Sequence, residues 1–445
     1  MINRCQHVLA VVLLTALAMA NAAHAQLSSA NDTARLLAGM QPPSDSPLLV
    51  LTRERAWQEH ANHFNSIFAK LKSHQLTRIQ NWSRARLTSP SPVLFYMFSG
   101  PDFLYANAFF PAASTYVMSG LEPTGPVPDM TKLSREARAR GYRNIEQSLR
   151  SIASYGFFQT IDMRHNLAAT GVTGTLPIIY VFLARSGKTI RDVSLIRLDE
   201  NGTAQPDGYS WRDADGASSA RGVKIDFLSE DGRPQTLYYF SANVDNDSFE
   251  ANGFARFCEH LGTGDALVKS ASYLMHRSHF SDVRNFLLEH SRLILQDDSG
   301  VPVNWFDHAG WQLRPFGHYS GPIALFANRY QPKLSQLFKQ RDVEAIDFAI
   351  GYRWHPKSSN LMIATRTADP VAGKESVSIS DEAPRSHDVA SDRKARKTRM
   401  ENGAGKKSDR RRPHHSSKYA DRNRSGGARL LAHRAPPRAF WFPYW

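Results

Sequence analysis

Hydrophobic residues in the first half of this chain form continuous runs separated by stretches with helical spacing. Val93 to Phe98 and Leu176 to Leu183 are apolar runs typical of strands buried on both faces, and Thr115 to Ser119 is a further predicted strand. Between them, a short helix is predicted at 103–110, with Pro101 near its start, and the apolar residues of 131–155 predict a second helix. This alternation predicts a partly parallel sheet with helical crossovers.

The chain on either side of this block has other patterns. Before it, residues 52–87 predict a long amphipathic helix. After it, Glu230-Asp231-Gly232 predicts a hairpin turn. Short strands between polar turns are predicted at 193–198, 223–228, 236–240 and 311–319. Helices are predicted at 253–261, 265–277 and 282–295.

Strict alternation of apolar and polar residues is clearest near the end of the patterned sequence. Residues 346–354 predict a half-buried strand that pairs with Leu361 to Ala364. The expected fold class is therefore α/β, with a mixed sheet, helical crossovers and antiparallel hairpins. The globular part would span 51–365, either as one domain or as two subdomains at about 51–190 and 191–365.

The two ends of the chain differ from this globular part. Residues 1–25 combine a basic start, an apolar run and Ala23-His24-Ala25, which predicts a cleaved signal peptide. Residues 26–50 are small, polar and proline-containing, and are predicted to be a linker. Residues 366–445 lack apolar periodicity and predict a disordered basic tail.

Charge and cysteine content restrict the expected partners. The net charge is +14, and 19 Lys and Arg stand against 9 Asp and Glu from Arg366 onward. Since export is predicted, we expect residues 391–445 to bind an anionic membrane surface or an envelope polymer, and we do not expect nucleic acid. Loss of Cys5 with the signal peptide would leave Cys258 alone, which excludes an internal disulfide.

Asp102 and Glu122 form the first candidate site. Asp102 follows the predicted strand at 93–98, and Glu122 follows the next strand. Ligands in open α/β sheets collect beyond the carboxyl ends of the strands, so these carboxylates could line such a site. The alternative is that Asp102 caps the following helix and Glu122 is solvated.

The second candidate site lies between residues 297 and 319. Aromatic side chains there could stack on a sugar, and polar side chains could supply hydrogen bonds or acid–base chemistry. The alternative is an aromatic core with a capped turn. The predicted ligand-binding residues are Trp305, Trp311, Arg314 and Tyr319. The candidate catalytic residues are Asp297, Asp298, Asp307, His308 and His318.

These observations predict where the protein works more specifically than what it does. We expect a periplasmic or secreted protein that binds a small ligand or an envelope glycan. The alternative is a secreted hydrolase that uses carboxylates and histidine in a cleft near 297–318 or at Asp102. No metal site and no cofactor are predicted, because the sequence carries none of the established motifs for them.

Overall fold

The computed structural model describes residues 30–155, 172–208, 219–306, 310–339 and 342–367. All of them lie in one compact unit that ends at Gly373. The predicted signal peptide, most of residues 366–445, and Asp307 and His308 lie outside the described residues.

Helices and strands alternate through most of the described chain. The helices are α1 (30–37), α2 (Arg55–Leu71), α3 (Thr77–Arg86), α4 (Phe103–Phe109), α5 (Arg135–Tyr155), α6 (Leu176–Arg185), α7 (Phe254–His260), α8 (Ser281–His290) and α9 (Pro332–Phe338). The strands are β1 (Val93–Tyr96), β2 (Thr115–Gly120), β3 (Thr189–Leu198), β4 (Ala204–Pro206), β5 (Arg221–Leu228), β6 (Pro234–Ser241), β7 (Gly264–Val268), β8 (Ser291–Gln296), β9 (Trp311–Gly317) and β10 (Asn360–Arg366).

The ten strands form one mixed sheet, which confirms the predicted α/β fold class. Their order is β4-β3-β5-β6-β2-β1-β7-β8-β10-β9. The five central strands, from β6 to β8, are parallel. Antiparallel strands extend the sheet on both sides. Strands β1 and β2 of the first half lie between β6 and β7 of the second half, so the alternative boundary near residue 190 does not separate two sheets.

Each face of the sheet is covered by its own set of helices. Helices α1 to α6 pack on the face that carries Leu94 and Tyr96, and α7 to α9 pack on the face that carries Phe95 and Met97. Successive residues of a strand point to opposite faces, so a strand between two helical layers is apolar throughout. This explains why the apolar run at 93–98 was recognisable as a central strand.

Several predicted elements have the wrong secondary structure; among them, the helix predicted at 282–295 ends at His290, and residues 291–295 belong to β8. Residues 176–183 were predicted as a strand but form α6, in which all residues from Leu176 to Ala184 are buried. An apolar run of this length fits a fully buried helix as well as a buried strand, and Pro177 is tolerated in the first helical turn. Residues 265–277 were predicted as a helix but include β7, whose five residues are all buried.

The alternating segment at 346–354 is not a strand. Ile346, Phe348 and Ile350 are buried and Asp347 is exposed, as the alternation predicts, but the segment makes no strand pairing. Leu361 to Ala364 belong to β10, which pairs with β8 and β9 instead. The segment contains bends and a turn instead of a strand, and β10 already has a partner strand on each side.

The linker predicted at 26–50 is also corrected for its described residues. Residues 30–37 form α1, and Leu36 and Leu37 are fully buried. The side chain of His60 in α2 hydrogen-bonds the Leu37 carbonyl at 2.8 Å, and the Trp57 indole donates to the Leu36 carbonyl at 3.0 Å. Residues 30–40 thus pack as part of the folded unit.

Candidate functional site at the carboxyl ends of the parallel strands

The chain topology creates a switch point between β1 and β7. After β1, helix α4 carries the chain across one face to β2, whereas after β7, helix α8 carries it across the other face to β8. In open α/β sheets, ligands bind beyond the carboxyl ends of strands where the connections diverge in this way. The loops at this point are Ser99–Asp102 after β1 and Lys269–Tyr273 after β7.

A buried ion pair joins these two loops. Lys269 Nζ lies 2.9 Å from Asp102 Oδ2, and both side chains are only 2% exposed. The Tyr96 hydroxyl donates to the same oxygen at 3.0 Å, and the Tyr105 amide donates to Oδ1 at 3.2 Å. Burial raises the pKa of Asp102, and the Lys269 ammonium opposes this shift. Asp102 therefore caps α4, as the alternative interpretation expected, and also holds a buried lysine.

Asp297 and Asp298 follow β8 at the same edge of the sheet. Asp297 accepts hydrogen bonds from the Ser270 amide at 2.9 Å and from the Ser299 amide at 2.9 Å. Asp298 accepts from the Tyr273 hydroxyl at 2.5 Å and from Asn360 Nδ2 at 3.0 Å. Burial raises the pKa of both carboxyls, and the proximity of Asp298 raises that of Asp297 further. Both carboxyls therefore bind a proton more readily than solvent-exposed aspartates do.

The loop after β7 has a strained backbone. Ser270, Ser272 and Tyr273 have φ values of 54°, 51° and 53°, a region that residues other than glycine adopt at a cost of about 1–3 kcal/mol each. The Tyr352 hydroxyl holds the loop by donating to the Ser270 carbonyl at 2.7 Å and accepting from the Ser272 amide at 2.9 Å. Such strain is concentrated at functional sites, so this loop marks the edge as a candidate site.

Glu122 lies beside the same edge, after β2, and is buried rather than solvated. A Cβ added to Gly120 would lie 2.8 Å from Glu122 Oε2, and one added to Gly100 would lie 4.0 Å from that oxygen. The carboxylate therefore packs against the glycine turn that leads into α4. The predicted residues Asp102, Glu122, Asp297 and Asp298 thus all lie at one edge of the sheet.

The predicted aromatic binding segment is divided between the two edges of the sheet. Trp311 begins β9 opposite Arg366, whereas Gly317 ends it opposite Asn360. The Trp311 ring packs against Phe306 at 5.5 Å. Tyr319 lies beyond the carboxyl end of β9, where its hydroxyl accepts from the Gln331 amide at 3.2 Å. The side chain of Gln331 in turn donates to the Asp298 carbonyl at 3.1 Å, so only Tyr319 is joined to the candidate site.

Three other predicted residues lie outside the carboxylate cluster. Arg314 is exposed on β9 and lies 3.6 Å from Glu344. His318 is exposed, and its amide donates to the Ser359 carbonyl at 2.8 Å. Trp305 is 44% exposed and stacks with the Arg284 guanidinium, 3.8 Å from the ring centroid. These residues do not converge with Trp311 on one aromatic face.

Several residues of the site were missed in the sequence. Lys269 was assigned to a predicted helix, and Tyr96 was regarded only as part of a buried strand. Tyr273 and Tyr352 contact the carboxylate loops from segments far apart in the chain. A lysine directly after an apolar strand was the one available signal, and it required β7 to be recognised as a strand first.

No family model, curated protein or solved structure matches this chain. Among the residues that the structure describes, no cluster of three or more His, Cys, Asp or Glu side chains is arranged to bind a metal ion. None of the described helices is both long and apolar enough to cross a membrane.

Proposed function

We propose that this protein is exported to the cell envelope and binds a small polar ligand, with glycan fragments as the ligand class. The binding site would lie at the carboxyl ends of β1, β7 and β8. The observation that carries this proposal is the buried Asp102–Lys269 pair next to the strained Ser270–Tyr273 loop at the switch point. Buried charges and backbone strain are costly to stability, and both are typical of functional sites.

The chemistry of the site favours a ligand rich in hydroxyl groups. Carboxylate oxygens accept hydrogen bonds from hydroxyls, and aromatic rings stack on the apolar faces of sugars. The Phe326 ring lies 4.9 Å from Tyr273 and 5.4 Å from Tyr352, and both Phe326 and Tyr352 are partly exposed. Aromatic and acidic groups therefore adjoin at this edge, whereas Trp311 lies at the opposite end of β9.

Titration with soluble envelope glycan fragments tests this proposal. A ligand at about one hundred times its dissociation constant stabilises the folded state by about 2.7 kcal/mol, which thermal unfolding detects readily. We expect Asp297→Asn and Tyr352→Phe to weaken binding, because one alters the acceptor and the other releases the loop. Asp347→Asn is the matched control, since its side chain is 69% exposed outside the site.

The outcomes of this titration are distinct. Binding that is weakened in both site variants and unchanged in the control supports the proposal. Absence of binding by any fragment would contradict it, as would equal binding by all three variants. Thermal unfolding of each variant without ligand is measured as well, so that loss of stability is distinguished from loss of binding. If Asp297→Asn folds poorly, Tyr352→Phe still tests the proposal.

A hydrolase is the second candidate, favoured by the raised pKa of Asp297. A carboxyl that keeps its proton near neutral pH can act as a general acid and protonate the oxygen of a leaving group. Asp102 and Asp298 are the other carboxyls at this edge. Chromogenic glycosides are the probe, and activity should fall at least about a hundredfold in Asp297→Asn. Turnover that is unaffected by this substitution would eliminate Asp297 as the acid.

Export and envelope association rest on sequence outside the described residues. Residues 1–25 support secretion, and the basic tail with its aromatic end, Phe440 to Trp445, supports binding to anionic envelope surfaces. Periplasmic or secreted location is tested by fractionating cells that express the full chain. Recovery of an uncleaved protein in the cytosol would contradict this part of the proposal.

A further inference from the structure

A helical turn at the carboxyl edge of the sheet leaves its apolar side chains in solvent. Ala324–Arg329 is a 3-10 turn of sequence ALFANR in which no residue is buried. Leu325 is 53% exposed, and Tyr330, directly after the turn, is 50% exposed. Large apolar side chains grouped on a surface indicate a site of interaction with another protein or with a membrane.

Trp354, which is 51% exposed, lies in a segment that contacts this turn, since the Tyr352 ring is 5.4 Å from the Phe326 ring. The guanidinium of its neighbour Arg353 donates a short hydrogen bond to the Gly321 carbonyl. The Tyr330 ring packs on Gly321, where an added Cβ would lie 3.3 Å from the ring. These contacts hold segment 321–330 beside Arg353 and Trp354. We call Leu325, Tyr330 and Trp354 the apolar patch.

The charged side chains in the two segments that carry the apolar patch are all basic. Residues 310–339 and 348–367 contain no Asp or Glu. Arg329 closes the turn that carries Leu325, Lys333 is exposed at the start of α9, and Lys357 is exposed three residues after Trp354. Basic side chains are attracted to anionic headgroups, and Trp and Tyr favour the level of the headgroups in a bilayer.

We propose that the folded domain docks on an anionic lipid bilayer through the apolar patch, with Leu325, Tyr330 and Trp354 inserted among the headgroups. A second copy of this chain fits the surface less well, because pairing would bring two basic rims together. Lipid with anionic headgroups matches both the apolar centre and the basic rim.

Docking in this way would turn the candidate site toward the bilayer. Strand β9 runs parallel to the central strands, so the segment after Gly317 begins at the same edge as Asp298. Phe326 joins the two regions through its contacts with Tyr273 and Tyr352. The docking proposal does not depend on the proposed ligand, since it rests on exposure and charge alone.

An environment-sensitive label at residue 325 tests the proposal directly. Leu325→Cys is made in the chain 26–445, labelled with a nitrobenzoxadiazole dye, and mixed with vesicles of phosphatidylcholine and phosphatidylglycerol. Cys258 is buried and the pKa of its thiol is raised by that burial, so it does not compete for the label. We expect a blue shift and about a twofold rise in emission as the label enters the interface.

Val50→Cys is the matched control, because Val50 is 59% exposed in the turn Pro47–Arg53, outside the patch. Its label should not respond, and phosphatidylcholine vesicles alone should produce a much smaller response at residue 325. Vesicle binding without a change at residue 325 would overturn the proposal, since the tail would then account for the binding. Equal changes at both positions, absence of binding, or a label that is already blue-shifted without vesicles would overturn it as well.

A pair of substitutions provides an independent measurement without a label. Tyr330→Ser with Trp354→Ser should weaken binding to the mixed vesicles by about tenfold, while Val50→Ser should leave it unchanged. Since all three side chains are half-exposed or more, none is expected to impair folding. Unchanged vesicle affinity in the double variant would refute insertion of the patch. Titration with glycan fragments on the same variants keeps this result separate from the fate of the ligand proposal.

Discussion

Removal of Lys269 would measure how the buried ion pair contributes to the free energy of unfolding. Lys269→Met removes the ammonium and retains a long side chain. Because Nζ lies 2.9 Å from Asp102 Oδ2 and both side chains are 2% exposed, the carboxylate would lose its counter-charge without gaining water. Breaking a buried ion pair from one side costs about 3–5 kcal/mol. We expect a loss of that size in the free energy of unfolding near neutral pH.

The size of this loss depends on pH, because Asp102 is the charge left behind. Burial already raises the pKa of Asp102, and without the ammonium of Lys269 it would rise further. A carboxyl whose folded pKa exceeds its unfolded value destabilises the fold when charged, and this penalty disappears as the pH falls below the unfolded value. Lys269→Met should therefore be much closer to the wild type at about pH 4 than at about pH 8.

Urea unfolding of single and double variants completes the test. Asp102→Asn with Lys269→Met removes both charges, and asparagine still accepts from the Tyr105 amide as a helix cap. The double variant should lie within about 1–2 kcal/mol of the wild type, because replacing both partners is far less costly than replacing one. The reasoning is refuted if Lys269→Met costs less than about 1 kcal/mol at both pH values, or if the double variant is no more stable than the single one.

Three further predictions concern other parts of the molecule. Burial raises the pKa of Asp265 to about 6 despite a hydrogen bond from the Ser91 amide, so its charged form should lower the free energy of unfolding by up to about 3 kcal/mol once the pH passes 6. Asp265→Asn should remove this loss of stability, and the same pH dependence of unfolding in both proteins would contradict the prediction. Gly351→Ala should destabilise the fold by several kcal/mol and weaken ligand binding, because φ is +67° and the new Cβ would lie 2.2 Å from Asp297 Oδ2. A melting temperature within about a degree of the wild type would argue against this contact. Deletion of 391–445 should reduce co-fractionation with membranes at low salt, and unaltered fractionation would eliminate the tail as a tether.

Much of the architecture was predictable because local patterns decide it. The central strand at 93–98, the capped helix after Asp102 and the hairpin at Glu230-Asp231-Gly232 all appear where the pattern placed them. Each of these depends on residues close together in the chain. Prediction failed at Leu176 to Leu183, because a completely buried helix has no polar face to reveal its period.

The relative positions of the candidate site residues could be predicted only in part, for a similar reason. Asp102 and Glu122 were recognised as carboxylates that directly follow strands, whereas Asp297 and Asp298 were placed after a predicted helix whose last residues form β8 in the structure. The separation of the aromatic residues could not be predicted, because alternation along β9 says nothing about distance, and Trp311 and Tyr319 lie at opposite ends of that strand. Neighbours in sequence were thus separated by the extended backbone between them.

The sequence by itself determined the class of fold and the placement of Asp102 and Glu122 after strands, because burial on both faces and turn chemistry are recognised from a few neighbouring residues. Only the tertiary structure decided that Asp102 meets Lys269, that Tyr352 holds the Ser270–Tyr273 loop, and that the segments carrying Leu325 and Trp354 adjoin. These pairings depend on the order of strands in the sheet. Strand order is set by the packing of whole layers, which no local pattern contains.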